Sequence, residues 1–241
     1  MKISPLLFRK IHKWVGLILG IQFLLWTISG LGMALLDHEE VSGGHAPETP
    51  TIPMPAGGGW GRALASVGSQ PVTGLAVLPL LDRQVIEIDI AGGTRLFDSE
   101  TGSPVTVDAT LAEAIAVAAY HEPSRVQRVE PLDRLTLAVR EHELPIWRVD
   151  FADERNSSFY VSGTTGKLLE RRNDSWRLWD VLWMLHNMDY LNRTSFNHPL
   201  IVAVTFFTLW LAITGFYLLF ATGWRKDLRW LRRKRDAAIE P

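Results

Sequence analysis

Cysteine is absent from the 241-residue chain. That excludes disulfides, thiolate metal sites, iron–sulfur clusters and cysteine nucleophiles. A nucleophile elbow and a His-Glu-x-x-His pattern are also missing, and Gly57-Gly58-Gly59 lacks the lysine of a phosphate loop. Hydrolytic and kinase chemistry therefore find no support. Charge is missing from two places: residues 14–36 and 199–221 contain no Asp, Glu, Lys or Arg. At a rise of ~1.5 Å per residue each run is long enough to cross a hydrocarbon core of ~30 Å. A cleaved signal peptide is the rival reading of the first run, since Gly32-Met33-Ala34 fits a small-x-small site after a basic stretch. The run passes that site and exceeds a usual signal core, which favours a retained span.

What is present fixes an orientation. Lys2, Arg9, Lys10 and Lys13 precede the first run, and Arg225, Lys226, Arg229, Arg232, Arg233, Lys234 and Arg235 follow the second. Both termini are expected on the cytoplasmic side. The ends carry a balance of +8 and residues 37–198 a balance of −9, so the net charge of −1 hides a basic rim and an acidic outer domain. A basic cluster just inside a span meets anionic headgroups, so the bilayer rather than nucleic acid is the expected partner.

Between the runs the chain repeats itself. After a Gly/Pro-rich linker, Val85-Ile86-Glu87-Ile88-Asp89-Ile90 alternates, Gly92-Gly93 turns the chain, and Arg95-Leu96-Phe97 continues. Ile146-Trp147-Arg148-Val149-Asp150-Phe151 and Ser158-Phe159-Tyr160-Val161 follow the same grammar. Asp89 matches Asp150, and Thr101-Gly102 matches Thr165-Gly166. Helices are predicted upstream of each unit, at 61–67 and 109–120. Units of this size need each other to complete a core.

The predicted organisation is a basic N-terminus (1–13), a first transmembrane helix (14–36), a linker (37–59) and two α+β units (60–108 and 109–172). An interfacial amphipathic helix with its loop (173–198), a second transmembrane helix (199–221) and a basic tail (222–241) complete it. The fold class is thus an α+β membrane protein with two transmembrane helices flanking a tandem extracytoplasmic domain.

The segment 109–172, closing on a Tyr-Val…Thr-Gly-x-Leu-Leu hairpin, resembles the PepSY domain. His12-Lys13-Trp14-Val15-Gly16 through Thr27-Ile28-Ser29-Gly30, and Leu185-His186 with Ala212-Ile213-Thr214-Gly215-Phe216-Tyr217, resemble helices of the PepSY-associated transmembrane family. That family includes iron-regulated membrane proteins and ferric-siderophore reductases, some holding b-type haem through histidines. The resemblance implies a bacterial inner-membrane protein with a periplasmic domain, linked to haem electron transfer or ferric-siderophore acquisition as a component of a membrane ferric reductase. The alternative is a non-enzymatic accessory or regulatory subunit whose periplasmic domain binds a partner protein. The expected partners are a second copy or a membrane complex, and a periplasmic protein or ferric ligand.

Histidines are the residues that could hold such a cofactor. His12 and His38 stand 26 residues apart, or ~39 Å along a helix, and cannot share one iron. The second run contains no histidine, so an inner haem at His12 needs another chain; otherwise His12 belongs to a polar ring at the helix end. At the outer face His38, His186 and His198 lie near the span ends. Helical spacing places Trp179, Trp183, His186 and Tyr190 on one face. Two readings stand for that face: an aromatic belt at headgroup depth, or, on the family resemblance, a wall against haem b with His186 as ligand and His198 or His38 as the second. Asp37-His38-Glu39-Glu40 with His45 is spaced too loosely for a metal site, and a solvated loop is expected.

Overall fold

The computed structural model describes residues 5–44, 58–120, 124–191, 193 and 197–220. Two compact units emerge, one of Met1–Leu35 with Trp179–Pro241 and one of Leu36–Leu178. The linker from 45 to 57 and the tail from 221, with His45, lie outside the described residues.

The first unit is helical. Helix α1 runs Pro5–Leu35, so Arg9, Lys10, His12 and Lys13 lie on the helix itself rather than ahead of it. Two helices in this unit are long and apolar enough to cross a membrane: the part of α1 from Arg9 to Leu35, and α6 (Pro199–Leu218). Pro199 opens α6, where its missing N–H costs nothing. α1 and α6 pack antiparallel, with the Cα of Gly16 close to Leu211 and His12 bonded to Thr214. A Cβ at position 16 would meet the Leu211 side chain at 3.5 Å, an ordinary packing distance.

The second unit holds two antiparallel meanders. After the short helix α2 (His38–Val41) and helix α3 (Gly59–Val67), sheet A runs β1 (Val72–Leu80), β2 (Arg83–Ile90), β3 (Gly93–Asp98) and β4 (Pro104–Val105). Helix α4 (Ala109–Ala119), capped by the Asp108 carboxylate on the Leu111 N–H, leads into sheet B. Its strands are β5 (Val126–Pro131), β6 (Ile146–Phe151), β7 (Ser158–Ser162) and β8 (Leu168–Arg172). Helix α5 (Asp174–Asn187) follows; Asn173 caps it by accepting from the Trp176 N–H.

The period-two alternation predicted these sheets from their central strands. Ile86, Ile88 and Ile90 face α3 and pack with Ala63, Val67 and Phe97. Burying each such isoleucine contributes roughly 2 kcal/mol. The opposite face of β2 supplies Val85, which joins Leu80, Leu96 and Val107 in one cluster with Ile115, Val149, Phe151, Phe159 and Val161. That second cluster spans both repeats. The two aspartates occupy one register position: Asp89 pairs with Gly74 and Thr94, and Asp150 with Arg128 and Ser158. Each first strand carries its register shift at that same place, between Val72 and Gly74 and between Val126 and Arg128.

Candidate functional site

The histidines of the helical unit are held by neighbours distant in sequence. Near the start of α1, His12 Nδ1 lies 2.7 Å from the Thr214 hydroxyl of α6, which donates to the Leu211 carbonyl at 3.1 Å. A Cβ on Gly215 would touch the His12 ring, and the Trp210 ring lies 6.4 Å away. Far along the same helix, His186 Nδ1 lies 3.1 Å from the Ser29 hydroxyl. Ser29 is 1% exposed and donates to the Leu25 carbonyl at 2.6 Å. The Trp26 indole N–H donates to the His186 carbonyl at 2.7 Å, fixing the last turn of α5. Gly30 leaves room for the His186 ring, which a Cβ would meet at 3.3 Å.

Contacts of Leu182 with Gly32 and of His186 with Ser29 run in opposite sequence order, so the end of α5 lies antiparallel along α1. The end of the segment expected as an interfacial helix packs on the first apolar helix from Trp26 to Gly32. Trp179 and Trp183 stack at 5.1 Å, as their spacing suggested. Tyr190 does not share their helical face: α5 ends at Asn187, and Met188 turns the chain with a φ of 56°.

His198 is the residue preceding α6, and its Nε2 lies 2.7 Å from the Asn187 carbonyl. Since a carbonyl only accepts, that nitrogen carries the hydrogen. His198 therefore ties the loop down one residue from His186. His38 begins α2 in the other unit. The acidic run beside it is structural: Asp37 caps α2 by accepting from the Glu39 and Glu40 N–H groups, and Glu40 pairs with Arg155 at 3.4 Å. Among the described residues no group of three His, Asp or Glu is arranged to hold a metal ion.

A family model, described as the PepSY-associated TM region, matches residues 9–238. The chain belongs to the PepSY-associated transmembrane family. No curated protein and no solved structure matches it. As a member of this family it is a membrane protein with two apolar helices around a PepSY-type α+β unit. The two histidines held through their Nδ1 atoms are separated by ~25 Å along α1, taking the 17 residues between His12 and Ser29. Neither Nε2 has a hydrogen-bond partner among the described residues. Such a donor would suit haem iron: an imidazole whose remote nitrogen is tied to a hydroxyl oxygen.

The pairings of Ser29 with His186 and of Thr214 with His12 escaped the sequence reading. A hydroxyl inside an apolar run carries no pattern of its own, since it satisfies itself on the carbonyl one turn back. The one available signal was the small-residue stretch Ser29-Gly30 opposite a histidine-bearing aromatic helix.

Proposed function

We propose that the chain is a haem-linked electron-transfer protein of the bacterial inner membrane, serving ferric-ligand reduction in iron acquisition. The observation that carries this reading is His186, fixed at Nδ1 by Ser29 and at its carbonyl by Trp26, with Nε2 left to donate. His12 supplies a second imidazole about a membrane thickness away. Haem b bound at these levels would supply one-electron chemistry. The protein's own contribution is to orient each imidazole and to surround it with apolar helices. His198 lies at the level of His186 but its Nε2 is engaged by the Asn187 carbonyl, so a second ligand at either level would come from another copy or subunit. The basic flanks of both spans support cytoplasmic termini and a periplasmic α+β unit.

The accessory reading draws on a different observation. β1 is a sheet edge nine residues long without a single charge, a surface on which a partner's strand can add.

An absorption spectrum of the full chain, purified after expression with haem supplied, separates the two. A Soret band that sharpens on reduction, and falls by about half in His186→Ala, is expected. A wild-type protein without a Soret band would overturn the haem reading and leave the accessory one.

A further inference from the structure

The position of one hydrogen decides which nitrogen of His186 can bind anything. Ser29 Oγ stands 2.6 Å from the Leu25 carbonyl oxygen and 3.1 Å from His186 Nδ1. Two oxygens at 2.6 Å repel unless a hydrogen lies between them, and the carbonyl has none to give. The single hydroxyl hydrogen therefore sits toward Leu25, with the Trp26 carbonyl as a longer acceptor at 3.3 Å. What Oγ offers His186 is a lone pair, so Nδ1 must carry the imidazole hydrogen. A neutral imidazole has one N–H, and Nε2 is left bare.

We propose that Ser29 is a positioning residue that holds His186 in the Nδ1–H form, so that Nε2 is a ready donor before any ligand arrives. Burial makes the device rigid. Ser29 is 1% exposed, its rotamer is fixed by the bond to Leu25, and the His186 backbone is pinned by Trp26. Gly30 permits the ring to lie against the helix, where a larger residue would push it off Ser29. The inference deepens the haem reading in naming what Nε2 would bind; the placement of the hydrogen does not depend on that reading.

The test uses the full chain in lipid bilayers, with and without haem, and with ¹⁵N-labelled histidine. The spectra are taken at about pH 9, well above the ordinary imidazole value of ~6.5. Nitrogen shifts then separate bare from protonated ring nitrogens. The wild-type apoprotein should show Nδ1 protonated and Nε2 bare at His186. Ser29→Ala should move that hydrogen to Nε2 without altering the His12 signals, whereas Ser29→Thr, which keeps the hydroxyl, should retain the wild-type pattern. In the haem-loaded protein, Ser29→Ala should weaken haem retention at this level by roughly 10- to 100-fold and shift the iron–histidine stretching band. A protonated Nε2 in the wild-type apoprotein, or a pattern indifferent to Ser29→Ala, would overturn the proposal. A hydrogen that responds to Ser29→Ala in a protein that takes up no haem would uphold the role of Ser29 and reject the haem reading.

Discussion

The turns that close the two repeats are built from the same bonds but lean on different neighbours. In the first, the Gly102 N–H donates to the Asp98 carbonyl and Asp98 N–H to Ser103; in the second, Gly166 N–H donates to Ser162 and Ser162 N–H to Lys167. The side chain of Asp98 or Ser162 accepts the N–H groups two and three residues on. Both glycines have a φ near +70°, at 69° and 68°. Yet Gly102 lies against the backbone of Gly59 at the start of α3, whereas Gly166 lies against the flexible side chain of Leu80 from the other repeat. The first turn closes its own repeat. The second docks onto its neighbour, where Lys167 also reaches Glu87 at 2.9 Å. One scaffold thus serves local closure in one copy and assembly in the other.

The sharpest way to break the equivalence is to add a methyl group to each turn. In Gly102→Ala the Cβ collides with the Gly59 carbonyl, which cannot yield without moving α3, so a loss of about 3 kcal/mol is expected. Gly166→Ala carries the same left-handed strain but meets only side-chain methyls, Leu80 most closely and Ile115 and Val107 beyond it, and should cost about 1 kcal/mol. Denaturant unfolding of the full chain in detergent, followed by tryptophan fluorescence, measures both; equal losses would mean that the two turns share one environment.

A smaller difference is expected at the paired aspartates. Asp150 is buried and accepts from Ser158 and Arg148, each at 2.7 Å, and from Arg128 at 3.3 Å. Asp89 accepts from Thr94 at 2.6 Å and faces Gly74 where Asp150 faces Arg128. Asp150→Ala leaves Arg128 and Arg148 with Glu130 alone as a shared acceptor and should cost about 2 kcal/mol, against about 1 kcal/mol for Asp89→Ala. The same unfolding measurement decides it.

The smallest effect concerns acid. The Thr101 backbone N–H holds the Asp98 carboxyl below the ordinary carboxylate range, outweighing the burial that pushes it up; the Thr101 hydroxyl, the Glu100 N–H and the Arg83 charge add to the lowering. A depressed folded value gives stability that is present above the unfolded value of ~3.9 and lost as pH falls through the folded one. Ser162 cannot titrate, so Asp98→Ser should flatten the acid branch of stability below about pH 4 and change stability at pH 7 by under about 0.5 kcal/mol. Thermal midpoints of both proteins from pH 3 to 7 check it; parallel curves would assign the acid response elsewhere.

The elements legible in the sequence were those whose pattern is local. Ile86, Ile88 and Ile90, and Trp147, Val149 and Phe151, alternate without interruption, and both spans lack charge throughout. Strand β1 was missed because Gly74 and Pro79 interrupt it, and β5 because Arg128, Glu130 and Pro131 read as loop. The charges Arg9, Lys10 and Lys13 hid the early start of α1. The histidines could be picked out in the sequence as candidates, but the residues that hold them could not. A bond from residue 12 to 214, or from 29 to 186, leaves no mark on either local stretch.

The shared buried cluster also sets a timetable. Strands β1 to β3 are joined by short turns, so the first repeat can pair its strands as soon as it emerges. Its inner face cannot close then. Leu80, Val85 and Leu96 wait for Ile115, Val149 and Phe159, and Glu87 waits for Lys167, about 60 residues after Val105. At 5–20 residues per second that interval is on the order of 3–12 s. Throughout it the nascent chain presents an apolar face beside the uncharged edge of β1, the combination that aggregates most readily. The first repeat is thus the half of the α+β unit that stays incomplete longest, and the arrival of the second is what closes it.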